Sequence, residues 1–236
     1  LSSQFHKKGS TSDERSLFAS SWRRTVKEGC AHFGVRPETD CLQLFSIHAF
    51  LLAQWNQKVN LTAIRDPFEI AVKHFIDSAA LVPYIESGAK ILDIGTGAGF
   101  PSIVVSILSP GLEVVGVDAS RKKISFVKES IRQCRLDGIK AIHARTEELS
   151  KNIEYRHSFD VVTSRAFASL DRFVEQAIEF LAPNGTILAM KGKRTDCGNR
   201  LCDLDRPYRT EVIDYLLPFI HEERSIIKVR LLDDSS

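Results

Sequence analysis

Apolar residues recur at helical spacing along Leu44, Ile47, Leu51 and Trp55, with Phe45 and Leu52 widening the line, which predicts an amphipathic helix. Asp40 and Gln43 have the spacing of a capping box at its start. A further helix is predicted from "RDPFE": Asp66 takes the N-cap, Pro67 the first helical position, and Glu69 completes the box. Its apolar side runs through Val72, Phe75, Ile76 and Ala79. Upstream, "SLFASSWRRTVKEGCAHFGV" reads as a helix capped by Thr11 with Glu14 and ended by a glycine-containing stop. Residues 11–88 are therefore expected to form a helical N-terminal cap behind a flexible N-terminus, residues 1–10. Pro83 and Gly88 punctuate its end.

From residue 90 the period changes. Short β-rich runs, "KILDI", "GLEVVGVD", "IKAIHA", "FDVVTS" and "GTILAMK", alternate with helical segments. Such alternation predicts a parallel sheet with helices on both faces. Two later runs, "EVIDYLL" and "SIIKVRLL", are joined by the short "PFIHEER", which suits an antiparallel hairpin because parallel strands need a longer crossover. Residues 89–236 are thus expected to form an α/β sheet domain with an antiparallel hairpin edge.

Composition narrows the class. Of 236 residues, 43% are hydrophobic and 26% charged, which is globular rather than disordered. No apolar run reaches the roughly 20 residues of a membrane span, and "LSSQFHKKGSTSDER" lacks a signal-peptide core. The five cysteines (Cys30, Cys41, Cys134, Cys197, Cys202) form no C-x-x-C pair, so thiols in a reducing cytoplasm and no structural metal are expected. A net charge of +2 does not announce a nucleic-acid binder, so any RNA surface must gather its cations locally. Arg23-Arg24, Arg121-Lys122-Lys123 and Lys191-x-Lys193-Arg194 are the clusters available, and each also reads as a solvated face.

The chemistry concentrates in "KILDIGTGAGFPS", where a strand ends in Asp93 and Gly95, Gly97 and Gly99 follow. The first loop of an open α/β sheet is where ligands bind, and glycine lets them approach the backbone. Pro101 is placed as the first helical residue beyond it, with Ile103, Val104, Ile107 and Leu108 facing the sheet. A dinucleotide fingerprint fails, because Phe100 stands where G-x-G-x-x-G needs its last glycine. This disfavours a NAD-dependent oxidoreductase. Asp118, at the end of the second predicted strand, is placed to accept both ribose hydroxyls of a nucleoside.

The spacing D-x-G-x-G-x-G resembles the first motif of methyltransferases that use S-adenosylmethionine. With "NLTAIRDP" at 60–67, "HFIDS" at 74–78, "DIGTGAGFP" at 93–101, "SRAFASL" at 164–170 and "MKG" at 190–192, the chain resembles the RsmG (GidB) family of bacterial 16S ribosomal RNA guanine-N7 methyltransferases. Ser102 departs from it, since many relatives carry another glycine there. The resemblance implies cofactor contacts at Gly95 and Phe100, at Thr146 and Glu147 after the third strand, and at Arg165 after the fourth. From the residues alone, Glu147 reads equally as a helix-dipole charge, and Arg165 as a donor to the methionine carboxylate or to an RNA phosphate.

Guanine N7 carries a lone pair, so no general base and no catalytic triad are expected; alignment and water exclusion are the task. Lys191 and Lys193, with Arg194 and more weakly Arg121 to Lys123, are the predicted phosphate contacts. The resemblance adds Arg65, Asn60 and Asp77 on the substrate side, and His74 in "HFIDS" is a further candidate to shape it, although capping and hydrogen bonding account for Asn60 and Asp77, and a core or helix-surface position for His74, about as well. The expected partner is 16S ribosomal RNA or the small ribosomal subunit, engaged by a cytoplasmic monomer without metal or membrane. A methyltransferase acting on another RNA, a protein or a small molecule, or a non-catalytic RNA-binding assembly factor, remains the alternative.

Overall fold

A computed structural model of the chain describes residues 16–165, 167–192 and 207–232. Residues 1–10, Thr11, Glu14, Lys193, Arg194, Cys197 and Cys202 lie outside them. Helices α1 (Ser20–Ala31) and α2 (Thr39–Asn56) open the described chain. The capping box read at Asp40 is not used. Glu38 is the N-cap, in extended conformation and without a side-chain cap bond, because the first helical hydrogen bond already runs from Leu42 N–H to the Glu38 carbonyl.

The buried face of α2 is also rotated from the predicted line. Phe45, Ala49 and Leu52 are fully buried, whereas Ile47 is 37% exposed. The cause is packing on two sides, against α1 on one and against α6 (Arg121–Cys134) on the other, so a single stripe does not describe it. The "RDPFE" start is as read: Asp66 Oδ1 accepts the Glu69 N–H at 2.9 Å, and Pro67 opens α3 (Pro67–Ile70). The chain then continues through a π-helical stretch, Ala71–Ile76, into α4 (Asp77–Ala79). Val72, Phe75, Ile76 and Ala79 are all buried.

Seven strands form one sheet in the order β3-β2-β1-β4-β5-β7-β6. They are β1 (Lys90–Ile94), β2 (Glu113–Asp118), β3 (Ile139–His143), β4 (Phe159–Ser164), β5 (Leu181–Lys191), β6 (Tyr208–Leu216) and β7 (Glu223–Leu231). Strands β1 to β5 are parallel, and β7 is antiparallel to both β5 and β6, as the short "PFIHEER" connection required. Helices α5 (Ser102–Leu108), α7 (Thr146–Leu149) and α8 (Leu170–Ile178) complete the layers. Pro101 is the N-cap of α5 rather than its first helical residue.

One hydrophobic cluster runs without a break from the cap into the sheet. Phe75 meets Trp22, Phe45 and Phe100 at ring-centroid distances of 5.1, 5.2 and 5.2 Å, and Ile103 and Phe126 belong to the same cluster. The cap is thereby packed directly on the glycine-loop side of the sheet. Among the described residues no helix is long and apolar enough to cross a membrane, and no group of His, Cys, Asp and Glu could hold a metal ion.

Candidate cofactor and substrate site

The parallel register brings the predicted residues to one edge. Gly95 to Gly99 follow β1, Asp118 ends β2, Thr146 and Glu147 follow β3, Arg165 follows β4, and Lys191 ends β5. The order β2-β1-β4 makes β1/β4 the topological switch point, where open α/β sheets bind ligands beyond the strand ends.

The loop is shaped from both sides. Gly95 and Thr96 donate their N–H groups to the Val117 carbonyl at 2.8 and 3.0 Å, and Gly97 N–H donates to Asp118 Oδ2 at 3.0 Å. Gly95 has φ +73°, and a Cβ there would meet no atom within 4 Å, so the backbone borders open space. Gly99 serves packing instead: at φ +85°, a Cβ would lie 2.6 Å from the Ile103 side chain. Asp118 also accepts the Ser120 N–H at 2.7 Å through Oδ1. Each carboxylate oxygen has a second lone-pair site, so both remain able to accept a ribose hydroxyl. An open glycine backbone beside a strand-end carboxylate fits a nucleoside cofactor.

Beneath the loop Asp93 is fully buried. Its Oδ2 accepts the Ser102 N–H at 3.2 Å, while Oδ1 has no partner within hydrogen-bond geometry. Burial pushes its pKa up to about 6, against the opposing pull of Thr96 and Ser102.

Phe100 and Arg165 are placed differently from a direct pair of cofactor contacts. The Phe100 ring is 2% exposed, stacked on His74 at 4.6 Å and packed on His48 at 5.0 Å. The Arg165 guanidinium lies 5.3 Å from the same ring, donates to the Lys73 carbonyl at 2.9 Å, and sits 3.0 Å from His74 Nδ1. A guanidinium only donates, so His74 Nδ1 must carry a lone pair and Nε2 the proton. Nε2 then donates to Thr62 Oγ1 at 3.0 Å. Burial, followed by the Arg165 charge, holds the His74 pKa well below its ordinary value and keeps the ring neutral.

His74 was expected to shape the RNA side. It is instead 4% exposed with both nitrogens engaged, so its direct partner is Arg165 rather than RNA. Asp77 is likewise interior: Oδ2 is 3.9 Å from Arg165 Nη1, and Oδ1 accepts the Tyr215 hydroxyl at 2.8 Å. Burial raises its pKa against the pull of Arg165 and Tyr215.

The remaining predicted residues are exposed or partly exposed. Glu147 is exposed and accepts from Gln176 Nε2 at 3.0 Å, and Thr146 begins α7 beside it. Lys191 Nζ lies 5.8 Å over the Phe167 ring. Arg65, Asn60, Arg121 and Lys122 are exposed, and Lys123 Nζ is 3.8 Å from Asp118 Oδ2.

Sequence reasoning missed Asn56 and His48. Asn56 Oδ1 accepts the N–H groups of Leu61 and Thr62 at 2.8 and 3.1 Å, and its Nδ2 donates to the Thr62 carbonyl at 2.8 Å. It therefore sets the "NLT" turn that presents Thr62 to His74. The signal was available: Asn56 continues the Phe45, Ala49, Leu52 line on α2, a polar residue on a buried stripe. His48 bonds Ser130 Oγ through Nδ1 at 3.0 Å, and burial lowers its pKa to about 3, which keeps it neutral.

Gly95→Ala tests the loop. At positive φ the substitution costs about 1–2 kcal/mol, and its methyl enters the open space. S-adenosylmethionine affinity by calorimetry should fall more than about tenfold (1.4 kcal/mol), while the melting temperature drops only a few degrees. Unchanged affinity would place the ligand elsewhere.

The solved structure of an O-methyltransferase from Bacillus cereus in complex with SAH is similar in fold, with a TM-score of 0.57 at 19% identity, covering 79% of this chain and 91% of that one. Fold and site define a Rossmann-like α/β protein with an antiparallel hairpin edge and a glycine loop that fits a nucleoside cofactor. The family model for rRNA small subunit methyltransferase G (GidB) matches residues 41–227. Relatives of that name from Geobacter sp. (strain M21) and Geobacter metallireducens are 40% and 41% identical, covering 88% and 84% of this chain and 96% and 91% of their own lengths. The chain belongs to the rRNA small subunit methyltransferase G family, and it is an S-adenosylmethionine-dependent enzyme.

Proposed function

We propose that this chain transfers a methyl group from S-adenosylmethionine to N7 of a guanine in 16S ribosomal RNA, acting as a cytoplasmic monomer. The observation that carries this reading is the family match over residues 41–227, which contains all the cofactor-side residues assembled above. When bound, S-adenosylmethionine supplies a methyl group activated on its sulfonium, which a guanine N7 lone pair can take without prior deprotonation.

The chain's residues then have three tasks. Gly95, Gly97 and Gly99 admit the cofactor against the backbone, Asp118 holds its ribose, and Thr146 with Glu147 borders its adenine. Arg165 faces the reacting end, held in place by His74, Lys73 and Asp77, and Phe100 braces the loop from behind. Lys191 and Lys193, with Arg65, hold RNA phosphates, and the helical cap, residues 11–88, forms the substrate-side wall of the 89–236 methyltransferase domain. Fixing both reactants in this way can contribute about 7–11 kcal/mol.

In A-form RNA the N7 edge lies in a deep, narrow groove that side chains cannot read. The target guanine must therefore sit in a loop or be extruded from its stack. The test is transfer of tritiated methyl from S-adenosylmethionine to undermethylated small-subunit RNA, free and in particles, with the labelled nucleoside identified by digestion and mass. Label recovered as 7-methylguanosine at one position supports the proposal. Cofactor binding without RNA labelling would overturn it.

A further inference from the structure

The turn between β6 and β7, residues 217–222, carries none of the proposed cofactor or phosphate contacts. Strand β6 runs parallel to β5, because both are antiparallel to β7. Leu216 pairs with Glu223 and Lys191 with Ser225, so this turn projects beyond the same sheet edge as Lys191 and Arg165. It is also tied to the site. Lys73, whose carbonyl accepts from Arg165, donates through Nζ to Glu222 Oε1 at 2.8 Å, and Arg224 Nη2 holds Glu222 Oε2 at 2.7 Å.

The turn is internally fixed. Leu217 is fully buried, its N–H donates to the Glu222 carbonyl, and the His221 N–H donates to the Leu217 carbonyl, both at 2.9 Å. Phe219 and His221 adopt φ of +72° and +53°. A bulky residue in the left-handed region is a genuine outlier, and such conformations persist where the surroundings enforce them and cluster at ligand sites. Here the conformation leaves Phe219 45% exposed beside Phe68, itself 43% exposed, with ring centroids 6.1 Å apart and planes inclined by 58°.

The size of the patch decides its partner. An aromatic side chain offers about 150–250 Å², so each half-exposed ring leaves roughly 100 Å². That is far below the ~800 Å² per side of a stable protein interface. Charged Arg65, Asp66, Glu69 and Glu222 flank the two rings along the chain, and even with Leu216, itself 46% exposed, the apolar area stays far below that size. It suits the face of one or two bases, and exposed Arg65 lies three residues before Phe68 in the chain.

We propose that Phe219, with Phe68, forms a stacking platform for an unpaired nucleotide flanking the target guanine. This rests on the RNA reading above. The experiment measures binding and methylation of RNA fragments whose flanking nucleotides are single-stranded. Phe219→Ala and Phe219→Leu should weaken binding by about 5- to 150-fold, the range for one lost base–aromatic stack. Phe219→Tyr, which keeps the ring, should bind as wild type. The salt dependence should keep its slope, because no phosphate contact is lost. Cofactor affinity and melting temperature serve as the folding control. Should Phe219→Ala fail to fold, Phe68→Leu, outside the turn, reads the same loss. Leucine and tyrosine variants behaving alike, or a loss accompanied by a flatter salt slope, would overturn the platform. Wild type that binds cofactor but methylates no RNA would overturn the RNA reading itself. Wild type that methylates RNA while the Phe219 variants bind it unchanged would overturn this inference alone.

Discussion

Phe100→Ala is expected to cost about 3–5 kcal/mol of stability, the range for emptying a buried aromatic site. At about 2–4 °C per kcal/mol for a chain of this size, the melting temperature should fall by roughly 6–20 °C. The reason is position. The ring is 2% exposed and meets His48, His74, Phe75 and the Arg165 guanidinium, four groups from three parts of the chain. Removing it opens a cavity between the helical cap and the glycine loop and withdraws the surface under Arg165. Phe100→Leu, which refills most of the volume, should lose less stability while giving up the stacking on His74. Thermal unfolding of both variants, with cofactor binding measured below the transition, separates two roles. A large drop in melting temperature marks the ring as the brace of the loop. An alanine variant that melts like wild type but no longer binds S-adenosylmethionine would show the ring to be a ligand contact, and its core placement would be wrong.

That distinction could not be read from the chain. Hydrophobic period and turn chemistry are local, and they located the helical cap, the βα alternation, the Asp66 cap and the closing hairpin. The glycine spacing and the strand-end Asp118 were likewise legible, because ligand approach to the backbone leaves a local trace, and the structure brings them together through the Gly97 N–H bond to Asp118. What stayed hidden is contact between distant residues. Arg165 is 91 positions from His74, and Tyr215 is 138 from Asp77. No spacing rule says that these polar side chains satisfy one another inside the fold rather than face a substrate. The π-helical stretch at Ala71–Ile76 was equally invisible, since it keeps the apolar residues buried while setting the Lys73 carbonyl and His74 ring against Arg165. The α2 stripe erred for a related reason: a helix packed on two sides has no single apolar line, and its buried polar members, His48 and Asn56, marked the true interior.

Asp93→Asn is expected to stabilise the protein at neutral pH and not in acid. The Asp93 carboxyl has an ordinary value of 3.8 and is pushed to about 6 by burial, so the folded state holds its proton more tightly than the unfolded chain does. Below pH 3.8 both states are protonated and the group has no effect. Between 3.8 and about 6 the unfolded state loses its proton first, and stability falls as pH rises. Above 6 the cost is constant. The difference, at 1.36 kcal/mol for each factor of ten, is roughly 3 kcal/mol. Asparagine removes the charge while keeping an acceptor for the Ser102 N–H. Urea unfolding should therefore show the variant more stable by up to roughly 3 kcal/mol at pH 7.5, with little gain at pH 4. An equal difference at both values would mean that packing rather than charge separates the variants. The ionised form has a local use that can offset this cost. Its Oδ2 anchors the first N–H of α5, and the hydroxyls of Thr96 and Ser102, bonded to each other, favour the charged state from either side of the glycine loop. Stability lost at a site that must hold one shape is a common trade against activity. If the more stable Asp93→Asn protein binds S-adenosylmethionine as tightly as wild type, the charge is dispensable to the loop. If it binds more weakly, the loop owes its shape to an anion without which the fold would be more stable.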